Sequence, residues 1–163
     1  MMHSIVLVES TSFVYRYCSC TLPDALRKSS YSYFLQPGGH LFISTISRTV
    51  LSYLLTIVAA EHVLRLVTPG THTHSKFVKP EELLDFFCKP VGHNHLPPLA
   101  HSDELVPKPW ISRLYDGSPT RREAEVRGIV YLPWAGRWEL APRVWSGLSE
   151  CNYLFWVRKP NGP

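Results

Sequence analysis

The chain sets short apolar runs between sharp polar or Pro/Gly stops, and the stops predict its elements. Ile5-Val6-Leu7-Val8 is a β-branched run closed by Glu9, the pattern of a buried parallel strand. Residues 10–21 keep no clean period and receive no assignment. Residues 23–35 predict a helix, with Pro23 in its first turn, Asp24 early, and Leu22, Ala25, Leu26 and Phe34 on its apolar side. Pro37 cannot continue that helix, and Gly38-Gly39 allow the positive φ of a sharp reversal. Leu41-Phe42-Ile43 then reads as a strand covered on both faces. Polarity switches at once to Ser44, Thr45, Ser47 and Arg48. Strand, helix, turn and strand form a candidate right-handed βαβ unit of a mostly parallel sheet. In such sheets ligands lie beyond the carboxyl ends of the strands, so the polar exit at 44–48 is where chemistry is expected.

Residues 49–67 form the longest apolar segment, apolar nearly all round until Glu61, His62 and Arg65. A membrane-spanning helix needs about 20 nearly uncharged residues, and this run falls short. A helix of this kind is either buried in a core or lies in a bilayer interface, and the pattern leaves both open. Thr68-Pro69-Gly70 ends it, and residues 71–78 follow as an extended loop. Residues 79–87 predict a short helix with Pro80 at its start and Glu81 and Glu82 in its first turn, where carboxylates suit the helix dipole.

From 88 to 122 order decays: six of the 14 prolines fall here, which predicts a long irregular insertion spanning about 88–123. Residues 124–132 regain a strand pattern stopped by Pro133. Residues 134–140 read as an aromatic turn region, and 152–157 as a second strand apolar on both faces. These last two strands suggest an antiparallel pair on the sheet edge. No repeats occur.

At 163 residues, 45% hydrophobic and 18% charged, the chain fits one domain able to bury a core, with residues 1–21 atypical of the rest. A net charge of +4 comes from scattered Lys and Arg, which argues against a nucleic-acid surface. Cys18, Cys20, Cys88 and Cys151 lack zinc-ligand spacing and read as reduced thiols. The N-terminus is a poor secretory signal and is compatible with a mitochondrial presequence.

Among chemical candidates, His72-x-His74 and His93-x-His95 could each share a metal if extended, but no acid or Cys completes either set. Adjacent Glu61 and His62 point about 100° apart on an α-helix, so they read as the polar end of an apolar helix. The cluster Tyr131, Trp134, Trp138, Trp145, Tyr153, Phe155 and Trp156 reads as core and hairpin packing. No G-x-G-x-x-G or phosphate-binding loop occurs anywhere, and Gly38-Gly39 precede a strand instead of following one.

The run from Leu35 through Gln36-Pro37-Gly38-Gly39-His40-Leu41-Phe42-Ile43-Ser44-Thr45-Ile46-Ser47-Arg48 to Thr49 resembles a segment of the class I S-adenosylmethionine-dependent methyltransferases. More narrowly it is similar to the ubiquinone-biosynthesis O-methyltransferases. The similarity continues through Ser52–Leu55, Ala60-Glu61, Val63–Arg65, Gly70-Thr71-His72 and Lys76–Leu83, and returns at Val126–Tyr131 and Cys151–Val157.

The resemblance implies α/β architecture: the C-terminal half of a Rossmann-like sheet, mostly parallel, with an antiparallel terminal strand. It implies methyl transfer from S-adenosylmethionine to a phenolic oxygen of a polyprenylated dihydroxybenzoate or demethylubiquinol ring. The implied setting is the matrix face of the mitochondrial inner membrane, beside other coenzyme Q biosynthesis proteins and without nucleic acid. The family's cofactor loop and first strands would precede residue 1, so the chain reads as a fragment that binds the cofactor weakly if at all. No cofactor-binding or catalytic residue is identified. Ser44, Thr45, Ser47, Arg48, His72 and Lys76 are candidates for positioning substrate, and Leu51, Leu54, Leu55, Ile57 and Val58 for touching a prenyl tail or membrane. If residues 5–9 are the family's fourth strand, Glu9 stands for the first acid of its divalent-cation motif, magnesium for instance. Ser12 and Phe13 then replace the other two ligands. The rival reading is a non-catalytic lipid-binding or complex-assembly module that uses the apolar helix of 50–67.

Overall fold

The computed structural model describes residues 4–10, 13–19, 35–65, 68, 70, 72–89, 108–132 and 134–161, with backbone alone at 4–10, 13–19, 146 and 148. Strand β1 is Ser4–Ser10, β2 Phe13–Ser19 and β3 His40–Ile46. A single α-helical turn, α1 (Val50–Ser52), runs on as a π-helix over Tyr53–Val63. A 3-10 turn (His74–Lys76) leads to α2 (Pro80–Cys88). The hairpin of β4 (Leu114–Tyr115) and β5 (Ser118–Pro119) precedes β6 (Ala124–Leu132) and β7 (Arg137–Leu140). A second 3-10 turn (Ser146–Glu150) enters β8 (Asn152–Arg158).

The six-stranded sheet has the order β2-β1-β3-β8-β6-β7, and among the described residues every neighbouring pair is antiparallel. This corrects the expected parallel sheet while keeping the α/β class. β1 lies directly beside β3, with Ile5 opposite Ser44 and Glu9 opposite His40, so the two are not the ends of a βαβ crossover. Only two residues separate β1 from β2, which leaves room for a hairpin and nothing longer. Val14, Tyr15 and Tyr17 are strong strand formers, so β2 forms although its sequence has no clean period. The helix expected at 23–35 lies outside the described residues, apart from Leu35.

β8 corrects a second expectation. It does pair antiparallel with β6, Val126 opposite Phe155, but it lies inside the sheet between β6 and β3, not at an edge. Because β8 opposes both neighbours, β3 and β6 run in the same direction. Thr45 of β3 and Gly128 of β6 flank the same residue, Tyr153.

In β3 and β8 one face of the sheet is fully buried. Leu41 and Ile43 of β3 and Tyr153, Phe155 and Val157 of β8 alternate inward, while Phe42, Leu154 and Trp156 stay half-buried on the reverse. Against the inner face lies α2, which starts as expected with Pro80 and with Glu82 accepting the Lys79 N–H at 2.9 Å. Phe87 of α2 stacks on Phe155 at 5.4 Å and meets Trp110 at 5.2 Å. Its carbonyl accepts the N–H groups of both Trp110 and Ile111 at 3.0 Å. Part of the proline-rich stretch therefore belongs to the core. Trp110 and Ile111 are buried, and Glu123 gathers Ser112 and Thr120 to fix the return.

Candidate functional site at the carboxyl end of β3

The exit from β3 is built by hydrogen bonds from three directions. Ser47 N–H donates to Cys151 O at 2.8 Å, which ties the exit to the entry of β8, and Val78 N–H donates to Ile46 O at 3.2 Å. Thr49 then starts the helix through a reciprocal cap: its Oγ1 accepts the Ser52 N–H at 3.1 Å while Ser52 Oγ accepts the Thr49 N–H at 3.3 Å. The Ser52 hydroxyl in turn donates to the Ser47 carbonyl.

The helix that follows is inside out. Ser52 and Glu61 are its buried residues, whereas Leu51, Tyr53, Leu54, Leu55 and Val63 are exposed, Leu54 and Leu55 at 49% each. The π geometry accounts for this. Bonds from each N–H to the carbonyl five residues back, such as Leu64 to Ala59, widen the turn, so positions nine apart are roughly two turns apart and share a face. On an α-helix of about 3.6 residues per turn, Ser52 and Glu61 would lie on opposite sides. Burial of this helix in the described core is thereby ruled out.

Glu61 has three donors around it. Its Oε2 accepts Gly70 N–H at 2.7 Å, and its Oε1 accepts His72 N–H at 2.7 Å and lies 2.6 Å from His72 Nδ1. Burial pushes the carboxyl pKa up, but the two backbone N–H groups and the imidazole outweigh it and hold it below the usual carboxylate range. The acid thus fastens the loop at 70–72 onto the helix. Sequence reasoning weighed Glu61 against its neighbour His62 and missed its partner eleven residues on. His62 Nδ1 instead meets Ile57 O at 2.8 Å.

The other candidates divide into buried and open. Thr45 and Ser47 are buried, and Ser44 is half-buried within β3. Arg48 is paired with Glu82 of α2, so its charge is partly spent at the helix start. His72 is buried against Glu61, and Lys76 is exposed at the end of the 3-10 turn. His74 Nε2 lies 3.2 Å from Thr49 O, with Tyr53 and Phe77 both edge-on to its ring at 5.5 Å. Of the apolar-contact candidates, Leu51, Leu54 and Leu55 are exposed, and Ile57 and Val58 are half-buried. The arrangement is a rim of imidazole, phenol ring and ammonium beside an uncovered apolar helix.

Among the described residues no three His, Cys, Asp or Glu side chains come together as a metal site. His72 and His74 serve separate partners, His93-x-His95 lies outside the described residues, and at Glu9 only the backbone is described. Nothing in the described residues supports a divalent cation there. Cys88 and Cys151 are free thiols whose pKa burial pushes up. No described helix is long and apolar enough to cross a membrane.

No family model matches this chain, and no solved structure matches it. Curated proteins do. The mitochondrial ubiquinone biosynthesis O-methyltransferase of Schizosaccharomyces pombe is 37% identical over 127 residues, which is 77% of this chain and 36% of that protein. The ubiquinone biosynthesis O-methyltransferase of Ralstonia nicotianae is 33% identical over 129 residues, 79% of this chain and 40% of its own length. That of Aliivibrio fischeri is 50% identical over 64 residues, 39% of this chain and 27% of the relative. The chain spans well under half the length of the relatives it matches. The resemblance seen in the sequence is thus shared with curated proteins: this chain is similar, over part of their length, to the ubiquinone biosynthesis O-methyltransferases.

Proposed function

We propose that this chain is the substrate-holding part of an S-adenosylmethionine-dependent O-methyltransferase of ubiquinone biosynthesis, working on a phenolic hydroxyl of a polyprenylated dihydroxybenzoate or demethylubiquinol ring. The observation that carries the reading is the helix that buries Ser52 and Glu61 and turns its leucines outward beside His72, His74 and Lys76. A ring with a long apolar tail needs both surfaces, one polar and one greasy, within one molecule's reach. The relatives' names supply the chemistry. The reversed β8 between the co-directional β3 and β6 suits the end of a class I sheet closed by an antiparallel strand.

The residues described do not fit the adenosyl cofactor. Gly38, Gly70, Gly117 and Gly136 have positive φ, yet each stands in a turn or loop and none follows a strand and opens a helix. No methyl-transfer step is assigned to this chain's residues. Their part is to hold the ring: Lys76 offers a cation to a developing phenolate, and His72, fixed through Glu61, keeps the loop carrying Lys76 in place. The exposed leucines take the prenyl tail or the surface of the mitochondrial inner membrane on its matrix side, where other coenzyme Q biosynthesis proteins would be neighbours.

The test is a fluorescence titration with prenylated and unprenylated dihydroxybenzoate. The prenylated ring should bind at least about tenfold more tightly, and Leu54→Glu/Leu55→Glu should abolish the difference with the circular dichroism spectrum unchanged. Equal affinities for the two rings would refute the proposal.

A further inference from the structure

The β6–β7 hairpin forms one edge of the sheet and runs on past the start of β8, with the 3-10 turn Ser146–Glu150 lying against β6. β6 pairs with β8 only over Ala124–Gly128, and from Ile129 to Leu132 its partner is β7 alone. The register shows what this ribbon presents. Ile129 lies opposite Leu140 and Tyr131 opposite Trp138, so these four share one face. Val130 lies opposite Glu139 and Leu132 opposite Arg137 on the other, where Arg137 and Glu139 pair at 2.6 Å. The Tyr131 and Trp138 rings meet at 5.3 Å.

This aromatic face is uncovered. Trp138 is 47% exposed, Tyr131 46% and Leu140 51%, while Trp134 at the turn is 82% exposed and Trp145, beyond the ribbon, 60%. A two-stranded ribbon is marginal in water by itself, and a contiguous apolar face of this kind marks an interaction surface.

Three features point to a bilayer as the occupant. Tyr and Trp have apolar bodies and a single polar tip, the side chains that settle at the headgroup level. Arg127 and Arg143 share Glu125, and Arg137 pairs with Glu139, which leaves one positive charge in excess at this edge beside the chain's net +4 and favours an anionic surface. The ribbon also projects past Gly128, level with Thr45, from the end of the sheet where β3 releases the apolar helix. The far edge of the sheet is formed by β2.

We propose that the β6–β7 ribbon is a second lipid-contacting element, seating Tyr131, Trp134 and Trp138 among the headgroups of an anionic bilayer. It rests on the reading that this chain works at a lipid surface, and the experiment separates the two. The full chain is floated with vesicles of phosphatidylcholine and phosphatidylglycerol, with and without brominated acyl chains, and compared with Trp134→Ala/Trp138→Ala, Trp134→Ala alone and Leu54→Glu/Leu55→Glu. Expected are vesicle binding with quenching of tryptophan fluorescence, binding about tenfold weaker in the double aromatic variant, and an intermediate loss for Trp134→Ala. The leucine variant should retain part of the quenching through the ribbon. Trp134 stands almost clear of the protein, so its single variant tests the idea without disturbing the fold. Equal binding by wild type and both aromatic variants, without quenching, overturns the ribbon's role and leaves the helix as the lipid contact. No binding by wild type overturns both. A dimer in sedimentation that the aromatic variants dissolve, without vesicle binding, gives the ribbon to a second copy and also overturns the proposal.

Discussion

Replacing Glu61 isolates one carboxylate that three donors surround. Glu61→Ala removes the acceptor from the N–H groups of Gly70 and His72 and from the His72 ring, whose side chain is 3% exposed. Each stranded donor costs about 1–3 kcal/mol, so stranding all three costs about 3–5 kcal/mol or more. With a urea slope of about 1.5 kcal/mol per molar, the midpoint should fall by roughly 2–3 M. Glu61→Gln keeps the volume but turns an amide N–H₂ toward one of the donors, so it should lose about 2 kcal/mol or more. The sign with pH follows from the lowered carboxyl pKa. The stabilisation is present in full above the ordinary value of 4.5 and fades as pH falls through the lower value of the folded protein. Urea titrations followed by tryptophan fluorescence at neutral and acid pH measure both effects, and the variants should lose part of the wild type's acid sensitivity. Amide exchange adds a local readout, because Gly70 and His72 should lose protection before the sheet does. A loss under about 1 kcal/mol with unchanged exchange at those two amides would refute the clasp.

Other outcomes follow from the core and the turns. Phe87→Ala should cost about 3–5 kcal/mol in chemical denaturation, since the ring meets Phe155, Trp110 and Phe86 and is 2% exposed. Tyr153→Phe should cost about 1 kcal/mol by stranding Val78 O, 2.8 Å from the hydroxyl, with no change in the circular dichroism spectrum. Burial raises the Tyr153 pKa, so phenolate absorbance should show this ring ionising above the ordinary tyrosine range. Gly38→Ala should cost about 1–2 kcal/mol by thermal melting, because φ is +79° and a Cβ would lie 2.8 Å from Asn161 Oδ1.

Local chemistry was legible where neighbours in sequence decide it. Pro80 and Glu82 start α2, Pro37-Gly38-Gly39 turn the chain into β3, and the alternation at 124–132 gives β6 with its bounds intact. Direction was not legible. A strand's residues do not record which way its neighbour runs, so the apolar run at 5–8 suggested a parallel strand where pairing with β3 is antiparallel. The aromatic turn at 134–140 hid β7, whose exposed residues carry no burial signal. For the candidate site, sequence offered side chains on the loop after the helix but none of the wiring between them. His72 and Lys76 came from the loop motif, but the pairing of Glu61 with His72 depends on a helix wound at a period the usual wheel does not use. Trp110 and Ile111 lay in a stretch read as irregular, because a run of prolines says nothing of the residues that dock beyond it.

The interior place of β8 also sets the order in which the sheet can be assembled. β3 and β6 have no bond to each other and meet only through β8, whose partners lie as far back as His40, paired with Arg158. During synthesis the two sides of the sheet therefore stay separate until the chain has emerged to about residue 158, and each presents an unpaired strand edge meanwhile. Closure joins partners more than a hundred residues apart in one late step, the kind of long-range pairing that slows folding. The strand that unites the molecule is thus the one it must wait for.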